Sequence, residues 1–273
     1  MKQLAILLML VSLCGVSYSI ISVNYSISPE YDRSTISQYI YGSNWDLIGG
    51  ENITFYRSGG NRLTGYNWVN NASNAGSDWY FSSDNYLTGS TPEPQASTPG
   101  LVLTNFYDSV TSKNAKGIIT IPMAGYVAKD KSGNVDTTTQ VAPSSRWCKV
   151  MPFKGSAFTL TPTLTSSSVY IDECISFLTT KYRIAANGGV KAYDLDNEPG
   201  LWSSTHYPIH PTQTLCTELV TRSSTWSMAI KSVDSTADVF GGVFYGFNDY
   251  YSLQGAPDWS TVGSGFDSRH TSF

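Results

Sequence analysis

The run Tyr193-Asp194-Leu195-Asp196-Asn197-Glu198-Pro199-Gly200-Leu201-Trp202 gathers carboxyls, an amide and aromatic rings around one glutamate. Val190–Leu195, just before it, has the length and apolar content of a buried strand. Pro199 lacks an N–H and stops the strand directly after Glu198. Glu198 is therefore expected at a strand's C-terminal end, where a parallel α/β barrel keeps its chemistry. A carboxyl there, hemmed by aromatic side chains, loses hydration and holds its proton to higher pH, as a general acid must. Asn197 beside it can hold the carboxyl in place and hydrogen-bond a sugar hydroxyl. Asn-Glu-Pro alone is a weak signal, because the same three residues can simply begin a loop.

The elements around this segment alternate between short β-rich runs and longer helical patterns, the signature of an α/β fold. Strands are expected at Ile20–Ser28, Tyr39–Asn44, Ile53–Arg57, Gly117–Val127, Val190–Leu195 and Asp238–Tyr245. Helical spacing predicts Leu101–Val110, with Leu103, Phe106 and Val110 on one face. It also predicts Val169–Tyr182, with Cys174, Phe177 and Leu178 in register, and Thr212–Val233, with Leu215, Leu219, Trp226 and Ile230 facing in. Two stretches read as long loops, Gly59–Gly100 and Ala128–Thr165. The first carries Tyr66, Trp68, Trp79 and Tyr80, and that many aromatics predicts an ordered binding loop.

The 273 residues carry Lys+Arg 17 against Asp+Glu 21, a net charge of −4, and only 14% charged side chains. There is no basic stripe for nucleic acid and no charged disordered tail. Met1–Ser19 has one early cation, an apolar run from Leu4 to Leu13 and small residues before a cut, the pattern of a secretory signal peptide. The mature protein is accordingly expected to be extracellular, without a membrane span and monomeric. Cys148, Cys174 and Cys216 then remain. Three is an odd number, so buried thiols are expected rather than a disulfide framework. Asn24, Asn52 and Asn71 begin Asn-x-Ser/Thr sequons. His206 and His210 have helical ligand spacing, but Pro208 between them favours a loop, and no metal is assigned to them. No cofactor is expected beyond a possible structural calcium.

Longer motifs carry a family resemblance. They are Tyr39-Ile40-Tyr41-Gly42-Ser43-Asn44, Gly59-Gly60-Asn61-Arg62-Leu63-Thr64-Gly65-Tyr66-Asn67-Trp68 and Asn74-Ala75-Gly76-Ser77-Asp78-Trp79. Met123-Ala124-Gly125-Tyr126-Val127 follows, then Asp196–Trp202 with Thr205-His206 and Ile209-His210-Pro211. Together they resemble glycoside hydrolase family 44, the endoglucanases and xyloglucanases, from about Ile20 to Trp259. The resemblance implies a (β/α)8 TIM barrel beside a β-sandwich, and hydrolysis of β-1,4-glucans. It implies that Glu198 is the acid/base. Asn61, Arg62, Trp68 and Trp79 match loop positions around the glycan cleft, and His206 is expected to line the cleft near Glu198.

The chain also departs from that pattern. Retaining hydrolysis needs a second carboxylate about 5 Å from the first, and the family's nucleophile is a late glutamate. Here Glu218, the one glutamate after Glu198, falls within a predicted helix, and Asp249 is a weak substitute. Barrel strands near Tyr39, Ile53, Ile118, Val190 and Asp238 make five, whereas eight close a barrel. The expected organisation is a signal peptide at 1–19, a first sandwich strand at 20–32, a partial barrel at 33–259 and a divergent tail at 260–273. Such a fragment is expected to be largely inactive by itself. A non-catalytic glycan-binding protein is the alternative, and a secreted structural or adhesion protein a third reading.

Overall fold

In the computed structural model, which describes residues 22–45 and 52–262, five parallel strands hydrogen-bond to one another in chain order. They are β1 (Gly42–Asn44), β2 (Phe55–Ser58), β3 (Lys116–Ile121), β4 (Ala192–Leu195) and β5 (Asp238–Phe240). Parallel neighbours need long crossovers. Helix α1 (Leu101–Ser112) lies between β2 and β3, α2 (Ile171–Tyr182) between β3 and β4, and α3 (Cys216–Val233) between β4 and β5. A shorter helix, α4 (Gly246–Ser252), follows β5. Sequential parallel order with a helix between β2 and β3, between β3 and β4 and between β4 and β5 is how a (β/α) barrel is built, and the ring is not closed among the described residues.

The register aligns Arg57 of β2, Ile118 of β3 and Ala192 of β4. Two residues further along, Thr120 sits beside Asp194. The helices bury their apolar stripes on this sheet: Val102, Leu103, Phe106 and Val110 from α1, Cys174, Ile175 and Leu178 from α2, and Leu219, Trp226 and Ile230 from α3. Burying one such aliphatic side chain contributes roughly 1.5–3 kcal/mol. The start of α1 requires glycine. Gly100 has φ +71, and a Cβ there would lie 2.3 Å from the Phe177 ring.

Several boundaries differ from the sequence expectation for identifiable reasons. Helix α3 begins at Cys216 rather than Thr212, because Asp258, distant in sequence, caps it there by accepting the N–H groups of Cys216 and Thr217 at 2.7 and 3.0 Å. Leu215 becomes the residue before the helix and is exposed. Strand β5 stops at Phe240. The Gly241-Gly242 pair then brings the chain close under the Leu195 carbonyl, and pairing resumes only as a bridge between Val243 and Asn197. The expected strand at Ile20–Ser28 is absent over Ser22–Ser28, which joins no β-ladder among the described residues. Alternation alone cannot make a strand when its backbone groups have no ladder to join. No accessory sandwich is seen among the described residues, and the signal-like segment Met1–Ser19 lies outside them.

The cysteines are free and buried. Of the sequons, Asn24 and Asn52 are exposed, whereas Asn71 is fully buried. Its amide donates to the carbonyls of Ala96 and Thr98 and its Oδ1 accepts from the Tyr66 hydroxyl. No helix among the described residues is long and apolar enough to cross a membrane.

Candidate active site

Strand β4 delivers Glu198 through an unusual backbone. Asp196 and Glu198 have φ of +70 and +46, the left-handed region that non-glycine residues avoid, at a cost of about 1–3 kcal/mol each. Hydrogen bonds hold the chain there. The Asp196 carboxylate is fully buried and accepts from the Thr64 hydroxyl and from the backbone N–H groups of Met123, Ala124 and Asn197. It thereby ties the exit of β4 to the exit of β3. Glu198 N–H donates to the Val243 carbonyl at 2.8 Å, and the Trp202 indole donates to the Asn197 carbonyl at 3.0 Å. The kinked exit leaves Glu198 half-buried at the strand's C-terminal end.

A row of polar side chains crosses the sheet toward this carboxyl. Thr120 and Arg57 both donate to Asp194, the latter through Nε and Nη2 at 3.0 and 2.9 Å. Arg57 Nη2 also donates to Asn197 Oδ1 at 3.2 Å, and Asn197 Nδ2 donates to Asn61 Oδ1 at 3.1 Å. Asn61 Nδ2 then donates to both oxygens of Asp78, each at 3.0 Å. Burial holds the Glu198 carboxyl above its ordinary pKa, and the charge of Asp78 adds to this, against the opposing pull of Arg57 and the Asn197 amide. A raised glutamate at a barrel strand's end can carry a proton to a leaving group near neutral pH.

Asn61, Arg62, Asp78, Trp79 and Tyr86 line an open cleft of about 820 Å3. Glu198 is not in its wall, but Asn61 and Asp78 join cleft and carboxyl. Trp79 presents its face to solvent at 61% exposure. Arg62 pairs with Asp84 at 2.6 Å and lies 4.3 Å over the Tyr86 ring. Sugar rings stack their C–H faces on aromatics, and their hydroxyls need polar partners of this kind.

The structure brings Asn61, Arg62, Trp79, Asn197 and Glu198 to one place and puts two expected cleft residues elsewhere. Trp68 is 3% exposed and packs on Phe177 at 5.6 Å between ring centres. It belongs to the core, because the Gly65–Val69 segment turns under the loop rather than over it. His206 is 1% exposed, beneath the turn that starts at Gly76, with neither ring nitrogen hydrogen-bonded. Asn197 is also nearly buried, and its amide already serves Arg57 and Asn61. Sequence reading missed Arg57, Asp78, Asp194 and the buried role of Asp196. Only register and loop folding put them beside Glu198. Among the described residues no group of three or more His, Cys, Asp or Glu side chains is arranged to hold a metal ion.

His206 makes a stability prediction. Burial, assisted by the nearby His210, lowers its pKa from 6.5 to about 3. The folded state thus binds it neutral, while the unfolded chain protonates it near its ordinary value. Its contribution is complete above pH 6.5 and lost as pH falls toward 3, at roughly 1.4 kcal/mol per unit. Urea unfolding at pH 7 and pH 5 should therefore show a smaller acid loss in His206→Gln than in the unmodified chain. Equal slopes would show that His206 titrates normally in the fold.

Comparison with known proteins follows from this geometry. The chain is 48% identical over 243 residues to Endoglucanase A of Paenibacillus lautus, aligning 88% of itself with 35% of that protein. A Paenibacillus polymyxa xyloglucanase solved with xyloglucan superposes with a TM-score of 0.81 at 50% identity, over 84% of this chain and 45% of that one. A family 44 endoglucanase from Clostridium thermocellum superposes with a TM-score of 0.82 at 48% identity, over 86% and 47%. The chain thus spans less than half the length of each of these three relatives. The model of glycoside hydrolase family 44 matches residues 72–270, which takes in the kinked β4 exit and continues past Ser260. On that match and these relatives, the chain belongs to glycoside hydrolase family 44.

Proposed function

We propose that this chain is part of a secreted endo-β-1,4-glucanase acting on cellulose- and xyloglucan-type β-glucans, with Glu198 as its acid/base. The observation that carries the reading is the Glu198 carboxyl, held above its ordinary pKa at the end of β4 and tied through Asn61 and Asp78 to an aromatic-edged cleft. Glu198 gives its proton to the glycosidic oxygen as the bond to the anomeric carbon breaks, and the leaving sugar departs as an alcohol. A second carboxylate about 5 Å away forms a glycosyl ester, which water hydrolyses after Glu198 takes the water's proton. The carboxylates near Glu198 among the described residues are otherwise engaged. Asp78 holds Asn61, and Asp249 is fully buried, with Oδ2 on the Tyr245 N–H. That engagement supports assigning the nucleophile to a later barrel strand, outside these 273 residues.

Glucan binding tests the reading on the chain as it stands. In affinity electrophoresis through a xyloglucan gel the chain should be retarded. Trp79→Ala should weaken retention by roughly 2–10-fold, the loss of one aromatic stacking contact. Equal mobility with and without glucan would count against the cleft.

A further inference from the structure

The row of side chains that runs past Glu198, from Arg57 to Asp78, has a direction. Arg57 can only donate hydrogen bonds and Asp78, as a carboxylate, can only accept them. Between these ends lie two amides, each able to face either way. Arg57 Nη2 donates to Asn197 Oδ1 at 3.2 Å, so Asn197 turns its Nδ2 outward, onto Asn61 Oδ1 at 3.1 Å. Asn61 must then turn its own Nδ2 away, and both oxygens of Asp78 receive it at 3.0 Å. With a donor at one end and an acceptor at the other, one arrangement of the pair satisfies every bond.

We propose that Asp78 is a positioning residue of the acid/base carboxyl: it closes the Arg57–Asn197–Asn61 row, locking both amides in one orientation, and sets a like charge against Glu198. The proposal rests on the reading of Glu198 as acid/base. Asp78 sits on the short turn Gly76–Trp79, one residue before the exposed Trp79. The turn that offers an aromatic face to the cleft thus also controls the proton on the acid. The charged groups that bear on Glu198 are Asp78 from this turn, Arg57 from β2 and Asp249 from α4. Arg57 is neutralised by Asp194 on its other side. Asp249 is buried, and its Oδ1 fills the space that a Cβ on Gly200, in the turn after Glu198, would take. Burial and the charge of Glu198 hold its proton to about pH 6. Asp78 is the exposed member of this set, open to both substitution and salt.

The test is a carboxyl titration in the 273-residue chain, with glutamate side chains labelled at the carboxyl carbon and followed by NMR. Glu198→Gln identifies the Glu198 resonance by its disappearance. In Asp78→Asn the Glu198 proton affinity is expected to fall roughly threefold, the effect of removing one nearby charge across a hydrated cleft. Asp108→Asn, on the outer face of α1, should leave it unchanged. Raising the salt in the unmodified chain should lower it in the same direction, since an exposed charge is screened. Should Asp78→Asn fail to fold, Asp78→Ser and the salt series carry the same comparison. A Glu198 midpoint identical with and without Asp78, or one that moves as far in Asp108→Asn, overturns the proposal. The acid/base reading fails differently, through a Glu198→Gln enzyme that still hydrolyses glucan, and that failure would leave the Asp78 titration measurable.

Discussion

In an enzyme of full barrel length that carries these residues, Glu198→Gln is expected to cut hydrolysis of soluble β-1,4-glucan by roughly 10²–10⁴-fold and to leave glucan retention in place. Gln has the shape and polarity of glutamic acid but no proton to give. The leaving sugar would have to depart as an alkoxide, and no other acid among the described residues stands where Glu198 does. Binding is expected to survive because Trp79, Arg62 and Asn61, not Glu198, line the cleft proposed to hold the glucan. The pH profile carries the same assignment. The acid must be protonated to act, so the rate falls as pH rises through the Glu198 pKa, which burial and Asp78 hold above its ordinary value. The alkaline limb should therefore lie above that of an exposed glutamate. Initial rates against pH, paired with affinity electrophoresis, make the measurement. Wild-type rates in the Gln variant would remove Glu198 from the chemistry.

Asp196→Ala is expected to be the most damaging single change to the fold. Three backbone N–H groups, of Met123, Ala124 and Asn197, and the Thr64 hydroxyl all end on this one buried carboxylate. An unpaired buried donor costs about 1–3 kcal/mol, so losing the acceptor should destabilise the chain by roughly 3–6 kcal/mol. A domain's whole stability is about 5–15 kcal/mol. The loss would also release the left-handed backbone at Asp196 and Glu198, so glucan chemistry would fail with the fold. Asp196→Asn should cost less, since its carbonyl oxygen still accepts, although its NH2 then faces donors. Urea unfolding gives the number, and a loss below about 1 kcal/mol would mean that water or a shifted loop replaces the carboxylate.

Much of the frame was legible from residue order. The helical stripe of Leu103, Phe106 and Val110, the apolar run Ile118–Ile121 and the strand before Asn197 are local patterns, and local spacing dictates which face is buried. Glu198 was legible for the same reason. A strand pattern leads up to it, Pro199 bars continuation of the strand and family 44 motifs surround it, although the strand itself ends at Leu195. The five strands of the sheet were legible too, although Ile20–Ser28, which also reads as a strand, joins no ladder over Ser22–Ser28.

Three things became visible only in three dimensions. Trp68 and Trp79 lie in the same aromatic loop and read alike in sequence. One is core and the other lines the cleft, because the loop turns inward at Gly65–Val69 and outward at Gly76–Trp79. His206 carries a cleft residue's motif, yet packing buries it without a hydrogen-bond partner. The row from Asp194 through Arg57, Asn197 and Asn61 to Asp78 joins residues more than a hundred positions apart. Its members meet because parallel register sets Arg57 beside β4 and because a loop folds back over Asn61. Sequence by itself determined which residues could do chemistry and which strand would present the acid. Tertiary structure decided which of them touch, since hydrogen-bond direction and burial depend on neighbours that the chain supplies from far away.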